Sequence, residues 1–197
     1  MARPTKSTTT RAEDMRDRIV AAATTLFSRY GFKRTSVELL AKEAEVAKPT
    51  VYVYFADKEA VFRAVVAHVC DEIVASAEAE SRREGPVEDR ITGMLVAKLT
   101  RYFALVQASP HAAELVSSHG ALGADIVEKA DRAFVKLLVA AIVEGLAPER
   151  LGLTAPQAAA MLLRAAWGAS YDATSVSLHK KHLAEIVRAI VASMRRS

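Results

Sequence analysis

Lys48, Thr50, Tyr52 and Tyr54 place one ammonium, one hydroxyl and two phenols within a single short segment that also holds Pro49. Groups of these kinds donate hydrogen bonds to phosphate oxygens and base edges. No catalytic constellation stands beside them. The histidines (His68, His111, His119, His179, His182) are scattered, with no H-E-x-x-H, no G-x-S-x-G and no glycine-rich phosphate loop. His179 and His182 lie three apart but lack a clear third ligand, so no metal site is expected. The single cysteine, Cys70, excludes an internal disulfide framework and any cysteine-based zinc site, and it reads as a core residue. The chemistry on offer is binding: no enzyme activity and no cofactor are expected.

The elements around that segment are helical. Apolar residues recur at three and four rather than at two, and strand signals are almost absent. Thr10-Arg11-Ala12-Glu13 reads as a capping box opening a first helix, whose stripe runs Met15, Ile19, Ala22, Ala23, Leu26, Phe27, Tyr30 and which Gly31 ends. Thr35-Ser36-Val37-Glu38 reads as a second capping box, with Thr35 as the cap of a short helix. After the tight connection Glu45-Val46-Ala47, Pro49 suits the first turn of a third helix. Two short helices joined by so tight a turn make a helix-turn-helix, with Ala41 small at the crossing and Val46 and Val51 buried. Its outer face carries Lys48, Thr50, Tyr52 and Tyr54, free to enter a major groove.

A fourth, long helix is capped by Asp57 and runs to about Glu84, before Gly85-Pro86. Further helices are expected near 87–107, 111–118, 124–146, 155–176 and 178–195, with Thr154-Ala155-Pro156-Gln157 as another start signal and a weak break near Ser177. The expectation is an all-α chain of about nine helices, divided into residues 1–56, a DNA-binding domain with a basic tail, and residues 57–197, a larger helical domain.

The stretch Arg18-Ile19-Val20-x-Ala22-Ala23-x-x-Leu26-Phe27-x-x-x-Gly31-Phe32-x-x-Thr35-Ser36-Val37 resembles the tetracycline-repressor (TetR) family of bacterial regulators. The resemblance continues through Leu40-Ala41-x-x-Ala44-x-Val46-x-Lys48-x-Thr50-Val51-Tyr52-x-Tyr54-Phe55-x-x-Lys58-Glu59-x-Val61-Phe62. It implies a homodimer whose N-terminal helices bind a roughly palindromic double-stranded operator and whose C-terminal helices dimerise and hold an effector. Carried over by position, it makes Thr35 and Ser36 phosphate contacts, Lys48, Pro49 and Thr50 base-edge or phosphate contacts, Tyr52 and Tyr54 backbone-clamping aromatics, and Lys58 a phosphate-binding lysine. This chain has Glu45 where the family usually has glycine, and Ala47 where it favours serine. If Glu45 is left-handed, it costs about 1 kcal/mol relative to glycine.

Composition fits this reading. Of 197 residues, 51% are hydrophobic and 25% charged, as in foldable globular chains. Residues 1–56 hold ten Lys/Arg against six Asp/Glu, so the whole net charge of +4 sits there and the remainder balances. A basic head on a neutral body suits a polyanion partner. Arg3, Lys6 and Arg11 could form an arm reaching a minor groove. The apolar run Leu137 to Val143 is far short of the roughly 20 residues of a membrane span, and no secretory signal is visible, so a cytoplasmic protein without membrane contact is expected.

In the second domain, Ala158, Met161, Leu162, Ala165 and Ala169 on one helix and Leu183, Ile186, Val187, Ile190 and Met194 on the last are expected to pair across a two-fold axis as a four-helix bundle, although ordinary core is an equal reading for about half of them. Met94, Tyr102, Phe103, Phe134, Trp167 and Tyr171 are the candidates to line a pocket for a small, largely apolar effector, with plain core as the competing reading. The function expected is a ligand-released transcriptional repressor. A helix-turn-helix regulator without an effector is the alternative, and an all-α enzyme or lipid carrier the remote one.

Overall fold

A computed structural model describes residues 8–108, 111, 122–169, 171 and 173–195. Among them the regular elements are α-helices, in the order α1 (Thr8–Tyr30), α2 (Val37–Glu43), α3 (Lys48–Tyr54), α4 (Lys58–Ser81), α5 (Val87–Ala108), α6 (Ala124–Gly145), α7 (Ala155–Gly168) and α8 (Val176–Ala192), with a short 3-10 turn at Pro148–Leu151 between α6 and α7. Residues 112–118 of the helix expected at 111–118, and the arm residues Arg3 and Lys6, lie outside the described residues.

Several helix boundaries differ from expectation. The backbone is already helical at Thr8, so Thr10 does not open α1. The cap of α2 is Ser36, whose hydroxyl accepts from the Leu39 N–H at 3.2 Å. Thr35 is not a cap: it is buried, and its hydroxyl donates to the Gly31 carbonyl at 2.9 Å. Helix α7 stops at Gly168 instead of running to residue 176, and Ser175 caps α8 by accepting from the Leu178 N–H. Ser175 satisfies a free amide that a continuous helix would have bonded internally, which is why the break precedes Ser177. The box at Thr154 forms as expected, with Gln157 answering the Thr154 N–H at 2.8 Å.

Two apolar cores result. The first gathers Ile19, Leu26, Phe27, Leu40, Val51, Phe55, Phe62 and Val65, and includes Val127 from α6. The second gathers Met94, Leu95, Leu99, Phe134, Leu138, Ile142, Leu162, Leu183 and Val187. Helix α4 belongs to both, through Val61 to Cys70 in the first and Ala77 in the second. Residue 57 is therefore a change of helix, not a gap between cores. Cys70 is buried as expected, and burial pushes its thiol up to about 11. No helix among the described residues is long and apolar enough to cross a membrane.

Candidate nucleic-acid interface

In the turn between α2 and α3, Ala41 and Val51 are buried as the spacing predicted, whereas Val46 is only half-buried against the first core. The Val46 N–H donates to the Ala41 carbonyl at 2.9 Å. Glu45 adopts φ +53°, the left-handed conformation for which glycine is the inexpensive residue. Ala47 supplies no capping side chain, and Pro49 in the first turn of α3 compensates by fixing a helical φ. Arg18 of α1 reaches over the turn, donating to the Ala44 carbonyl at 2.8 Å and lying 3.8 Å from Glu45.

Anchored by Val51 and Phe55, α3 turns its other side to solvent. Lys48, Pro49 and Tyr52 are exposed, and Thr50 is half-buried. Tyr54 also leans inward, packed on the first core. Val53, which the spacing argument passed over, is 77% exposed and is the most outward apolar residue of the helix. An exposed valine on such a face is suited to a thymine methyl group. Its exposure follows from the helical register set by buried Val51, so the signal was present in the sequence.

Three expected phosphate contacts are placed differently. Thr35, 1% exposed and bonded to Gly31, is turned inward and does not present its hydroxyl. Lys58 donates to the carbonyls of Phe32 and Thr35, both at 3.0 Å, with its ammonium 4.3 Å from the Phe32 ring centroid. It ties α4 to the loop before α2, because two carbonyl oxygens and an aromatic face together attract a cation. Lys48 pairs with Glu38 of α2. That bond, first, holds the Glu38 carboxyl down at about 2 and raises the Lys48 ammonium. Ser36 remains on the surface at the start of α2.

The expected effector lining is divided between core and surface. Met94 and Phe134 are fully buried in the second core, and Phe103 stacks on His179 at 4.5 Å. Tyr102 meets Trp167 edge-on at 4.7 Å, but Trp167 is 41% and Tyr171 97% exposed. A groove of about 560 Å³, open to solvent between α4 and α5, is lined by Glu72, Ile73, Ala75, Ser76, Ala97 and Arg101. No cluster of metal-ligating side chains occurs among the described residues.

The expected dimer stripe also divides. Ala158, Leu162, Ala169, Leu183, Val187 and Met194 are buried within one chain, where α5, α6, α7 and α8 cover them. Met161, Ala165, Ile186 and Ile190 are only half-buried and are left on the rim. The helical period carried both sets on one stripe, and the neighbouring helices took the inner half.

Residues 19–65 match the family model described as bacterial regulatory proteins, tetR family. The chain is 31% identical over 86 residues to the uncharacterized HTH-type transcriptional regulator YhgD of Bacillus subtilis, a match spanning 44% of this chain and 45% of that relative. The chain thus spans less than half the length of the curated relative it matches. Among solved structures, a transcriptional regulator from Rhodococcus sp. has a TM-score of 0.68 at 22% identity, covering 91% of this chain and 95% of that one. The regulator FadR from Bacillus subtilis, solved in complex with stearoyl-CoA, has a TM-score of 0.61 at 15% identity, covering 91% and 99%.

Proposed function

From the premise that this chain is a TetR-family helix-turn-helix transcriptional regulator, we propose that it acts as a homodimeric repressor, binds a palindromic double-stranded DNA operator and is released by a small, largely apolar effector. The observation that carries the DNA reading is the outward face of α3. Lys48, Pro49, Tyr52 and Val53 stand free of the core while Val51 and Phe55 fix the helix from behind. Paired α3 helices of a dimer would need a separation near one helical turn, roughly 34–36 Å, to read successive major grooves.

Effector control is supported by the joint between α6 and the first core. Arg63 of α4 grips Asp125 at the start of α6 through two bonds of 2.8 Å. Beside it Val127 enters the DNA-proximal core, and a Cβ at Gly123 would come within 3.2 Å of Val66. A shift of α6 is thereby passed to α4 and to the helices that read DNA. An allosteric coupling of about 1–3 kcal/mol at such a joint would lower operator affinity about 5–150-fold. The dense packing of Met94 and Phe134 favours a second reading, a regulator of the same kind without an effector.

Selection from random duplexes, followed by titration of the recovered operator, tests the proposal. Affinity should fall about 10³-fold between roughly 50 and 200 mM salt. Lys48→Ala and Tyr52→Ala should each weaken operator binding with thermal unfolding unchanged. Unaltered affinity in both would remove α3 as the recognition helix. If ligands that shift the melting temperature leave operator affinity untouched, the effector-free reading takes its place.

A further inference from the structure

This inference rests on the reading of α3 as the DNA-facing helix, and it concerns a residue of α2. A group suited to hold phosphate, the Lys48 ammonium, is directed at a carboxylate of the chain itself. Lys48 Nζ donates to Glu38 Oε1 across the turn, from α3 to α2. An ammonium is a donor that a phosphate oxygen attracts. Here a carboxylate of the protein's own occupies it. The pair is not a packing requirement, because the two side chains remain 47% and 61% exposed, and exposed ion pairs add little to stability.

We propose that Glu38 is a specificity-determining residue, an internal stand-in for phosphate that holds Lys48 back from DNA of arbitrary sequence. Any duplex attracts a free lysine, since each neutralised phosphate releases counterions whatever the bases. Tying Lys48 to Glu38 withdraws one such contact from non-specific binding and sets a negative charge against the backbone. On the operator, the Tyr52 clamp on the backbone and a base contact from Val53 seat α3 deeply, and Lys48 exchanges Glu38 for the DNA. Glu38, 61% exposed, is left to water, so the exchange strands no buried carboxylate.

The test titrates wild type, Glu38→Gln, Lys48→Ala and the double variant with a random-sequence duplex and with the selected operator, across a range of salt. Glu38→Gln should bind random DNA about threefold to tenfold more tightly, with a log–log salt slope steeper by about 0.9, the increment for one added phosphate contact. Operator affinity should change less, so the specificity ratio falls. With Lys48→Ala in place, Glu38→Gln should lose most of its effect, and Glu38→Asp, which keeps the charge, should stay near wild type. Unfolding temperatures should be alike, which separates this role from a structural one. An unchanged slope and random-DNA affinity in Glu38→Gln would overturn the proposal, as would an equal gain without Lys48. A wild type that binds neither duplex would overturn the parent reading as well, and that is visible in the first titration.

Discussion

The two cores of this molecule are built on different plans. Around Phe27, Phe32 and Phe62, whose ring centroids lie 5.1 to 5.8 Å apart, three helices and the start of α4 close over a small aromatic centre. That core leaves one side of α3 uncovered. Around Phe134, Leu138 and Ile142, longer helices from both ends of the second region bury their stripes on one another, and Leu183, Val187 and Met194 disappear inside. A small core that must present a face displays its functional groups. A larger core consumes the apolar residues that would otherwise mark a surface.

The largest test of this contrast separates the inner and outer halves of α8. Val187→Asp places an uncompensated charge at a fully buried position and should cost about 4 kcal/mol or more, seen as loss of cooperative thermal unfolding. Ile190→Glu, on the half-buried rim, should keep helical circular dichroism and shift sedimentation toward monomer. A folded Val187→Asp protein would break the assignment of that residue to the core.

In the first core, Thr35→Val should cost about 1–3 kcal/mol, because the Gly31 carbonyl loses its buried donor. The salt slope of DNA binding should stay at its wild-type value. A slope reduced by one phosphate would return Thr35 to the interface.

His179 sharpens the second core through pH. Wholly buried and stacked on Phe103, it is held below its ordinary value of 6.5 by burial and, secondarily, by His182. The unfolded chain then binds the proton more readily than the folded one. Its contribution to stability is complete at neutral pH and shrinks as pH falls below about 6.5. Denaturant titrations at stepped pH should show this decline, and His179→Phe should flatten it over that window.

The smallest effect belongs to the turn. Glu45→Gly should raise the unfolding free energy by up to about 1 kcal/mol, since glycine relieves the left-handed strain while freeing the unfolded chain. A decrease would show that the contact with Arg18 outweighs the strain.

Much of the DNA-proximal half was legible because its determinants are local. Ala41, Val46 and Val51 lie within one supersecondary unit, and their spacing dictates how the two short helices cross. Thr35 and Lys58 were less legible because side-chain partners are not periodic. Thr35 and Ser36 are both good caps, and only the inward path of the chain after Gly31 selects Ser36. Lys58 binds carbonyls 23 and 26 residues earlier in the chain, a pairing that spacing does not encode. Helical periodicity likewise identified the apolar stripe of α8 without saying which helix would cover it.

By itself, the sequence determined the all-helical class, the helix-turn-helix and the outward placing of Lys48 and Tyr52 on α3, because helix period, caps and tight turns act over a few residues. Tertiary structure alone decided which cations remain available. It set Lys48 against Glu38, and it placed Lys58 on the loop before α2. It also decided that Phe134 and Val187 are core while Trp167 and Tyr171 face solvent. The reason is physical: burial and ion pairing depend on which distant segment arrives beside a residue, and that follows from the closure of the whole chain around its two cores.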